Sequence, residues 1–160
     1  MSIPFRHSAA FGKRIEYWIV GNMLKEGLDV YLPLVDDDAI DAVIRRPDES
    51  FTTVQIKARS KNVVAGDAAL FAAIPHELRD NYWFIFYSER MDMTWILSSA
   101  EFISEASQNK SGKNKGKRSI WFIGIYATLC ISGKVLRRPV EIAVVTSTDQ
   151  CNILLSILRV

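Results

Sequence analysis

Residues 38–61, DAIDAVIRRPDESFTTVQIKARSK, contain two alternating segments separated by a turn. Apolar and polar residues alternate from Ile40 to Arg45 and again from Phe51 to Arg59, which predicts two strands that each bury one face. The intervening segment Arg46–Ser50 is rich in turn-forming residues and predicts a five-residue hairpin loop. The two segments are therefore expected to form an antiparallel pair.

The loop length fixes the expected pairing of the two strands. If Arg45 pairs with Phe51, then Asp41 faces Gln55 with Cβ atoms about 5 Å apart, and Lys57 lies one diagonal step away on the same face. A carboxylate and an amide oxygen in this arrangement can share one hard cation, and the lysine would lie beside a phosphate bound to it. The alternative is that these polar residues form the solvated face of a two-strand ribbon.

A helix is predicted upstream from about Ser8 to Glu26, with Ser8 as its cap and Gly27 just past its end. A helical wheel places Glu16 inside the apolar arc and predicts that it points towards the core. The same wheel places Lys13 and Tyr17 on the opposite side. The alternative for Glu16 is a position at the edge of a wide apolar stripe, where it reaches water or pairs with an arginine.

Glu16 on a helix, Asp41, and Gln55-Ile56-Lys57 on a strand together resemble the core of the PD-(D/E)XK nuclease superfamily, which includes archaeal-type Holliday-junction resolvases and many restriction endonucleases. The motifs 37–41 and 54–60 are similar to those of small stand-alone bacterial members. The likeness covers residues 8–61 and departs from the commonest pattern at Gln55, where an acid is more usual. It implies an α/β fold of the restriction-endonuclease-like type, with a mixed β-sheet flanked by helices in a single domain.

The resemblance also implies a function. Asp41, Gln55 and Glu16 would bind Mg²⁺ or Mn²⁺, and Lys57 would stabilise charge on the phosphate, in a metal-dependent endonuclease that hydrolyses DNA. Phosphodiester hydrolysis requires a nucleophile formed near neutral pH and neutralisation of a charged transition state, which a carboxylate-bound cation and an adjacent lysine can provide. The alternative is a catalytically silent nucleic-acid-binding or protein-interaction domain that retains the nuclease fold, which the glutamine at position 55 favours.

A basic flexible loop is predicted at residues 109–118, where five cations occur among glycines and serine without an acid. Such a loop can neutralise DNA phosphates, and its alternative is a solvated connector kept soluble by charge. The predicted nucleic-acid contacts are Lys110, Lys113, Lys115, Lys117 and Arg118, together with Arg59 and Lys61 at the end of the Gln-x-Lys strand.

Weaker patterns predict the remaining elements. Strands are expected at 28–35, with Pro33 at an edge or strand end, at 82–87 in the centre of the sheet, and at 95–97. Helices are expected at 67–74 and, from a Ser98/Glu101 capping box, to about Ala106. Segments 120–131 and 140–145 are strand-like, and 152–158 fits a helix or a strand.

The amino-acid composition predicts one soluble globular domain. The 160 residues are 49% hydrophobic and 24% charged, and the net charge of +2 is too small to indicate nucleic-acid binding by itself. Cys130 and Cys151 form no C-x-x-C pair, which fits two small core residues in a reducing compartment. The sequence shows no apolar export signal and no apolar run of membrane-spanning length, so we expect a cytoplasmic protein without membrane contact. A homodimer is compatible with these features.

Overall fold

A computed structural model describes residues 5–35, 38–64, 66–122 and 143–146, with the backbone alone at 5–8 and 143–146. These ranges contain two helices, α1 (Phe5–Lys25) and α2 (Ser99–Glu105). Their strands are β1 (Asp29–Tyr31), β2 (Ala42–Arg45), β3 (Phe51–Arg59), β4 (Leu70–Ile74), β5 (Tyr82–Ser88), β6 (Met93–Ser98), β7 (Ser107–Gln108), β8 (Arg118–Trp121) and β9 (Ala143–Thr146).

The strands form two sheets. The larger sheet has the order β1-β2-β3-β5-β6-β9, and the smaller sheet has the order β4-β8-β7. Strands β3 and β5 are parallel, whereas every other neighbouring pair in the described sheets is antiparallel. The predicted α/β fold with a mixed sheet flanked by helices is confirmed, and the aromatic strand β5 lies inside the sheet as expected.

Each face of the larger sheet has its own apolar core. On one face, Ile19 and Met23 of α1 pack with Val54 and Ile56 of β3. On the other face, Phe84, Phe86 and Trp95 pack with Phe102 of α2 and with residues of the smaller sheet. Because successive side chains of a strand point to opposite faces, the central strands β5 and β6 contribute to both cores.

The predicted hairpin register is confirmed over β2 and β3. The paired residues are Ala42 with Val54, Val43 with Thr53, Ile44 with Thr52 and Arg45 with Phe51. In the turn, Arg46 N–H donates to the Ser50 carbonyl at 2.8 Å, and Asp48 Oδ1 accepts from Ser50 N–H at 2.9 Å. The loop length therefore fixes the register from Ala42 to Arg45, whereas the predicted pairing of Asp41 with Gln55 is not among the described pairs.

The predicted limits of the first helix are half right. Gly27 has φ +79° just after α1, where Leu28 N–H donates to the Met23 carbonyl at 3.1 Å, so the predicted glycine stop is confirmed. Ser8 is not a cap, because α1 begins at Phe5 and includes it. A serine inside a helical pattern cannot by itself show whether the helix starts there.

The helix predicted at 67–74 is wrong. Asp67 instead accepts from Ala69 N–H at 3.3 Å in a turn, and residues 70–74 form β4. Pairing with β8 buries Phe71 and Ile74, and Ala73 takes φ +59° at an irregularity in the pairing. Tertiary burial therefore overrides the local helical preference of this alanine-containing segment.

The remaining predicted elements agree with the structure to different extents. Ser98 caps α2 in a capping box with Glu101, as predicted. The strand expected at 28–35 is shortened to β1, which lies at one end of the larger sheet and stops before Pro33. Strand β9 confirms the later part of the segment 140–145, whereas residues 123–131, 152–158 and both cysteines lie outside the described residues. None of the described helices has the length and apolar character needed to cross a membrane.

His76 supports the face covered by α2. Its Nε2 lies 2.7 Å from Ser99 Oγ, and its ring centroid lies 4.7 Å from that of Phe84. Burial, together with the positive charges of Arg79 and Arg118, lowers the pKa of His76 to about 4. The imidazole is therefore neutral in the folded protein at neutral pH.

We expect His76 to contribute acid sensitivity. Because its pKa is about 4 in the folded chain and ordinarily 6.5, the unfolded chain binds the proton first as pH falls. The free energy of unfolding should therefore decrease from about pH 6.5 down to about pH 4, and this group should have no effect above that window. His76→Gln, which keeps a hydrogen-bonding side chain but does not titrate, should flatten the slope in urea unfolding measured across these pH values. Identical slopes for both proteins would contradict this role.

Candidate active site

A small cavity brings together residues from the first helix and the start of β2. It has a volume of about 80 Å³ and is lined by charged side chains of Lys13, Glu16 and Asp41. Apolar residues of the loop after β1, including Leu32 and Leu34, form its rim. The space is large enough for a few water molecules or a hydrated ion.

Asp41 is fixed by hydrogen bonds at the point where β2 begins. Its backbone N–H donates to the Val54 carbonyl at 2.9 Å, and its Oδ2 accepts from the Ile56 N–H at 2.7 Å. The ladder register that holds from Ala42 onwards is thus replaced at Asp41 by a side-chain contact. The carboxylate lies beside the backbone that joins Gln55 to Lys57.

This contact occupies a free edge of β3. Strand β2 pairs with residues 51–54, and no strand in the described part of the chain continues that pairing along residues 55–59. The Ile56 N–H would otherwise lack a ladder partner on this side, and the Asp41 carboxylate supplies the acceptor. The second half of β3 is therefore bordered by a side chain instead of a strand.

Glu16 lies at the edge of the apolar stripe, the alternative that the sequence left open. Its Oε2 lies 2.6 Å from Lys13 Nζ, and 21% of its side chain is exposed, compared with 57% for Lys13. The hydrogen bond to Glu16 raises the pKa of Lys13. Partial burial lowers this pKa, and the negative charges of Glu16 and Asp41 raise it. The predicted placement of Lys13 and Tyr17 outside the apolar arc is confirmed, because both side chains are exposed, and both also line the cavity beside Glu16.

Gln55 and Lys57 leave β3 on the face opposite to α1. They pair with Phe84 and Phe86, whose side chains pack against α2, and neither lines the cavity. The two residues share a face, as predicted. Gln55 is 4% exposed, and neither its amide nor the Lys57 ammonium has a hydrogen-bond or ion-pair partner within the described residues. The amide oxygen of Gln55 makes this residue a candidate ligand.

The loop before Asp41 is tied to β5 by two side chains that the sequence analysis missed. Tyr82, which is buried, donates its hydroxyl to the Ala39 carbonyl at 2.5 Å, and Arg79 Nη1 donates to the Asp38 carbonyl at 2.9 Å. The Arg79 guanidinium stacks on the Tyr82 ring with its carbon 4.5 Å from the ring centroid. Ala39 has φ +56°, so these contacts hold a conformation that alanine rarely adopts. These contacts position Asp41 through residues that are far away in the sequence, so no local sequence pattern reveals them.

The predicted basic loop forms a closed hairpin between β7 and β8. Asn109 N–H donates to the Lys117 carbonyl at 2.9 Å, and Gly116 N–H donates to the Asn109 carbonyl at the same distance. Its exposed cations are Lys110, Lys113 and Lys115. Lys117 is half-buried and donates to Asn114 Oδ1 at 3.3 Å. The hairpin thus presents three cations to solvent in a defined conformation.

Arg118 has a structural contact instead of a free guanidinium. Its Nη1 donates to the carbonyls of Ile103 at 3.3 Å and Ala106 at 3.5 Å, at the C-terminal end of α2. A cation at this end also compensates the helix dipole.

The end of β3 is likewise held by nearby side chains. Glu89 Oε2 accepts from Lys61 N–H at 2.9 Å, Glu89 N–H donates to the Arg59 carbonyl at 2.9 Å, and Arg90 donates to the Val63 carbonyl. The Lys61 side chain remains exposed, whereas Arg59 is half-buried.

The acidic content of the site is limited. Among the described residues, no three His, Cys, Asp or Glu side chains form a group that could hold a metal ion. Asp36 and Asp37, which come shortly before Asp41 in the sequence, lie outside the described ranges. The cavity therefore offers two carboxylates, Glu16 and Asp41, as negatively charged ligands.

The fold has a structural likeness among solved proteins. No protein-family model matches the chain, and no curated protein matches it. A solved structure of a bacterial homing endonuclease, I-Ssp6803I, has 17% sequence identity to the chain and a TM-score of 0.45. The match covers 79% of this chain and 95% of that one.

The Ile56–Asp41 hydrogen bond predicts different effects of two substitutions. Asp41→Ala leaves the Ile56 N–H without its acceptor and should lower the free energy of unfolding by about 1–2 kcal/mol. Asp41→Asn retains an amide oxygen at this position and should be much less destabilised. Urea unfolding without divalent cations would measure both. The exposed Asp80→Ala is a matched control, and equal stability of Asp41→Ala and Asp41→Asn would contradict the assigned contact.

Proposed function

We propose that the protein is a divalent-metal-dependent endonuclease that hydrolyses DNA phosphodiester bonds. The observation that carries the proposal is that the Glu16 and Asp41 carboxylates line one cavity beside the Gln55-Ile56-Lys57 segment. Mg²⁺ prefers oxygen ligands and is commonly bound by one or two carboxylates while it keeps several waters. Two acids in a cavity with room for a few water molecules fit such an ion, and Mn²⁺ can use the same ligands.

Each residue has a distinct proposed role. Asp41 is the principal ligand, because its backbone and one carboxylate oxygen are already fixed at the edge of β3. Glu16 supplies the second carboxylate, and Gln55, which does not line the cavity, would add a neutral oxygen only to a cation held at the edge of β3 beside Asp41. A divalent cation held by these groups would polarise the phosphate and lower the pKa of an attacking water. Lys57, which has no partner within the described residues, would stabilise negative charge on the phosphate.

The exposed cations supply a means of binding DNA. Lys110, Lys113 and Lys115 project from the β7–β8 hairpin, and β8 packs on the same side of the larger sheet as Gln55 and Lys57. Lysines at such positions bind phosphates without reading sequence and release counterions from the duplex. Lys61, exposed just beyond β3, adds a further cation near the proposed site.

A catalytically silent DNA-binding domain is the second candidate. Two observations favour it: Lys13 already neutralises Glu16, and Gln55 and Lys57 do not line the cavity that holds the two carboxylates. Such a protein would bind DNA through the basic hairpin and would not cleave the DNA, whichever divalent metal is present. The cleavage assay below therefore separates the two candidates.

We expect the purified protein to cleave DNA with Mg²⁺ or Mn²⁺ and to be inactive with EDTA. Linear, circular, single-stranded and branched DNA would identify the preferred substrate. Asp41→Asn and Glu16→Gln should each lower the cleavage rate by about a hundredfold or more, because each removes a charged ligand. Lys57→Met should lose cleavage but still bind Mn²⁺ in calorimetry.

The matched control for these variants is Asp80→Asn, which alters an exposed aspartate outside the cavity and should cleave normally. Purification of every variant by the same procedure also reveals a contaminating nuclease. Wild-type cleavage by Asp41→Asn would refute the site. DNA binding without cleavage under all metal conditions would identify the silent domain.

The basic hairpin should control DNA affinity separately from cleavage. Replacing Lys110, Lys113 and Lys115 with alanine should reduce the slope of log affinity against log salt by up to about 2.7 if all three contact duplex phosphates. Cleavage at saturating DNA should change little, because contacts outside the reacting centre mainly add uniform binding. Fluorescence anisotropy over a range of salt concentrations would measure the slope. An unchanged slope would show that DNA binds elsewhere.

A further inference from the structure

Lys13 lies where it competes for the two carboxylates of the candidate site. Its ammonium is 2.6 Å from Glu16 Oε2 and lines the cavity that Asp41 also lines. The ring centroid of Tyr17 lies 5.6 Å from the same nitrogen, on the helix surface. The charged groups of the cavity thus carry two negative charges and one positive charge.

The surroundings of this ion pair differ from those of an ordinary pair on a helix surface. A Lys and a Glu three residues apart on an exposed helix face usually contribute little, because water solvates both groups. Here the Glu16 side chain is mostly buried, and Asp41 lies across the cavity from a different element of the fold. Lys13 is the basic residue among those that line the cavity, and its positive charge reduces the repulsion between the two carboxylates.

We propose that Lys13 is an internal counter-cation that neutralises Glu16 when no metal is bound, and that a divalent cation must displace the Lys13 ammonium from Glu16. This inference rests on the proposed metal site and adds a control on its affinity. Lys13 is the more exposed partner of the pair, so its ammonium can move into solvent without unfolding α1. The displaced ammonium would then be free to meet a phosphate of the incoming DNA at the cavity rim.

The proposal predicts tighter metal binding when the lysine charge is removed. Lys13→Met keeps an unbranched side chain of similar length and should bind Mn²⁺ on the order of fivefold more tightly than wild type in calorimetry, since a partly exposed ion pair shifts an equilibrium by up to about that factor. Lys25→Met is the matched control, because Lys25 is an exposed lysine in the last turn of the same helix and does not line the cavity. It should bind Mn²⁺ as wild type does.

A second measurement reports on the lysine itself. The acetylation rate of Lys13 by an amine-reactive reagent, followed by mass spectrometry in the wild-type protein, should rise on addition of Mn²⁺, because an amine released from its carboxylate is more accessible. The rate at Lys25 should not change. This readout is independent of DNA cleavage.

The outcomes separate this inference from the proposed function. Equal Mn²⁺ affinity in wild type and Lys13→Met, or weaker binding by Lys13→Met, would overturn the counter-cation role while leaving the metal site in place. Absence of Mn²⁺ binding in both proteins would overturn the metal site and the inference with it. An acetylation rate at Lys13 that Mn²⁺ leaves unchanged would also overturn the displacement.

Discussion

The hydrogen bond from the Ile56 N–H to the Asp41 carboxylate is the contact on which the candidate site depends. Strand β3 is longer than its partner β2, so half of its edge needs an acceptor from outside the ladder. A carboxylate in this role is held rigidly, because one of its oxygens is bound to a backbone group of the central sheet. A side chain fixed in this way needs little further ordering, which is what a preorganised site requires of its residues.

The rigidity of Asp41 is supported from the far side of the sheet. Tyr82 and Arg79 bind consecutive backbone carbonyls of the loop that leads to Asp41, and Tyr82 is itself buried at the start of β5. His76 packs on the same tyrosine ring and binds Ser99 at the start of α2. The α2 side of the molecule therefore positions a residue that lines the cavity beside α1.

The sequence predicted the central part of this arrangement because its determinants are local. The five-residue turn fixes the register of β2 and β3, and the alternation along β3 fixes the shared face of Gln55 and Lys57. The sequence did not reveal the place of Lys13 in the cavity. A helical wheel orients side chains relative to one apolar stripe, but the cavity wall opposite Lys13 comes from the loop after β1. The same limitation explains β4, whose strand conformation depends on pairing with β8, about 46 residues further on at Ser119.

The charges of the cavity are partly balanced within the chain itself. Glu16 and Asp41 approach from different elements, and the chain supplies Lys13 to offset their charge in the absence of another cation. In the proposed site Gln55 would be a neutral ligand and would add no third negative charge, although it does not line the cavity. With two acids and one removable lysine, such a site would be stable without metal and would still offer oxygen ligands when metal binds. The glutamine, which the sequence alone presents as a departure from an active nuclease, is thus compatible with one.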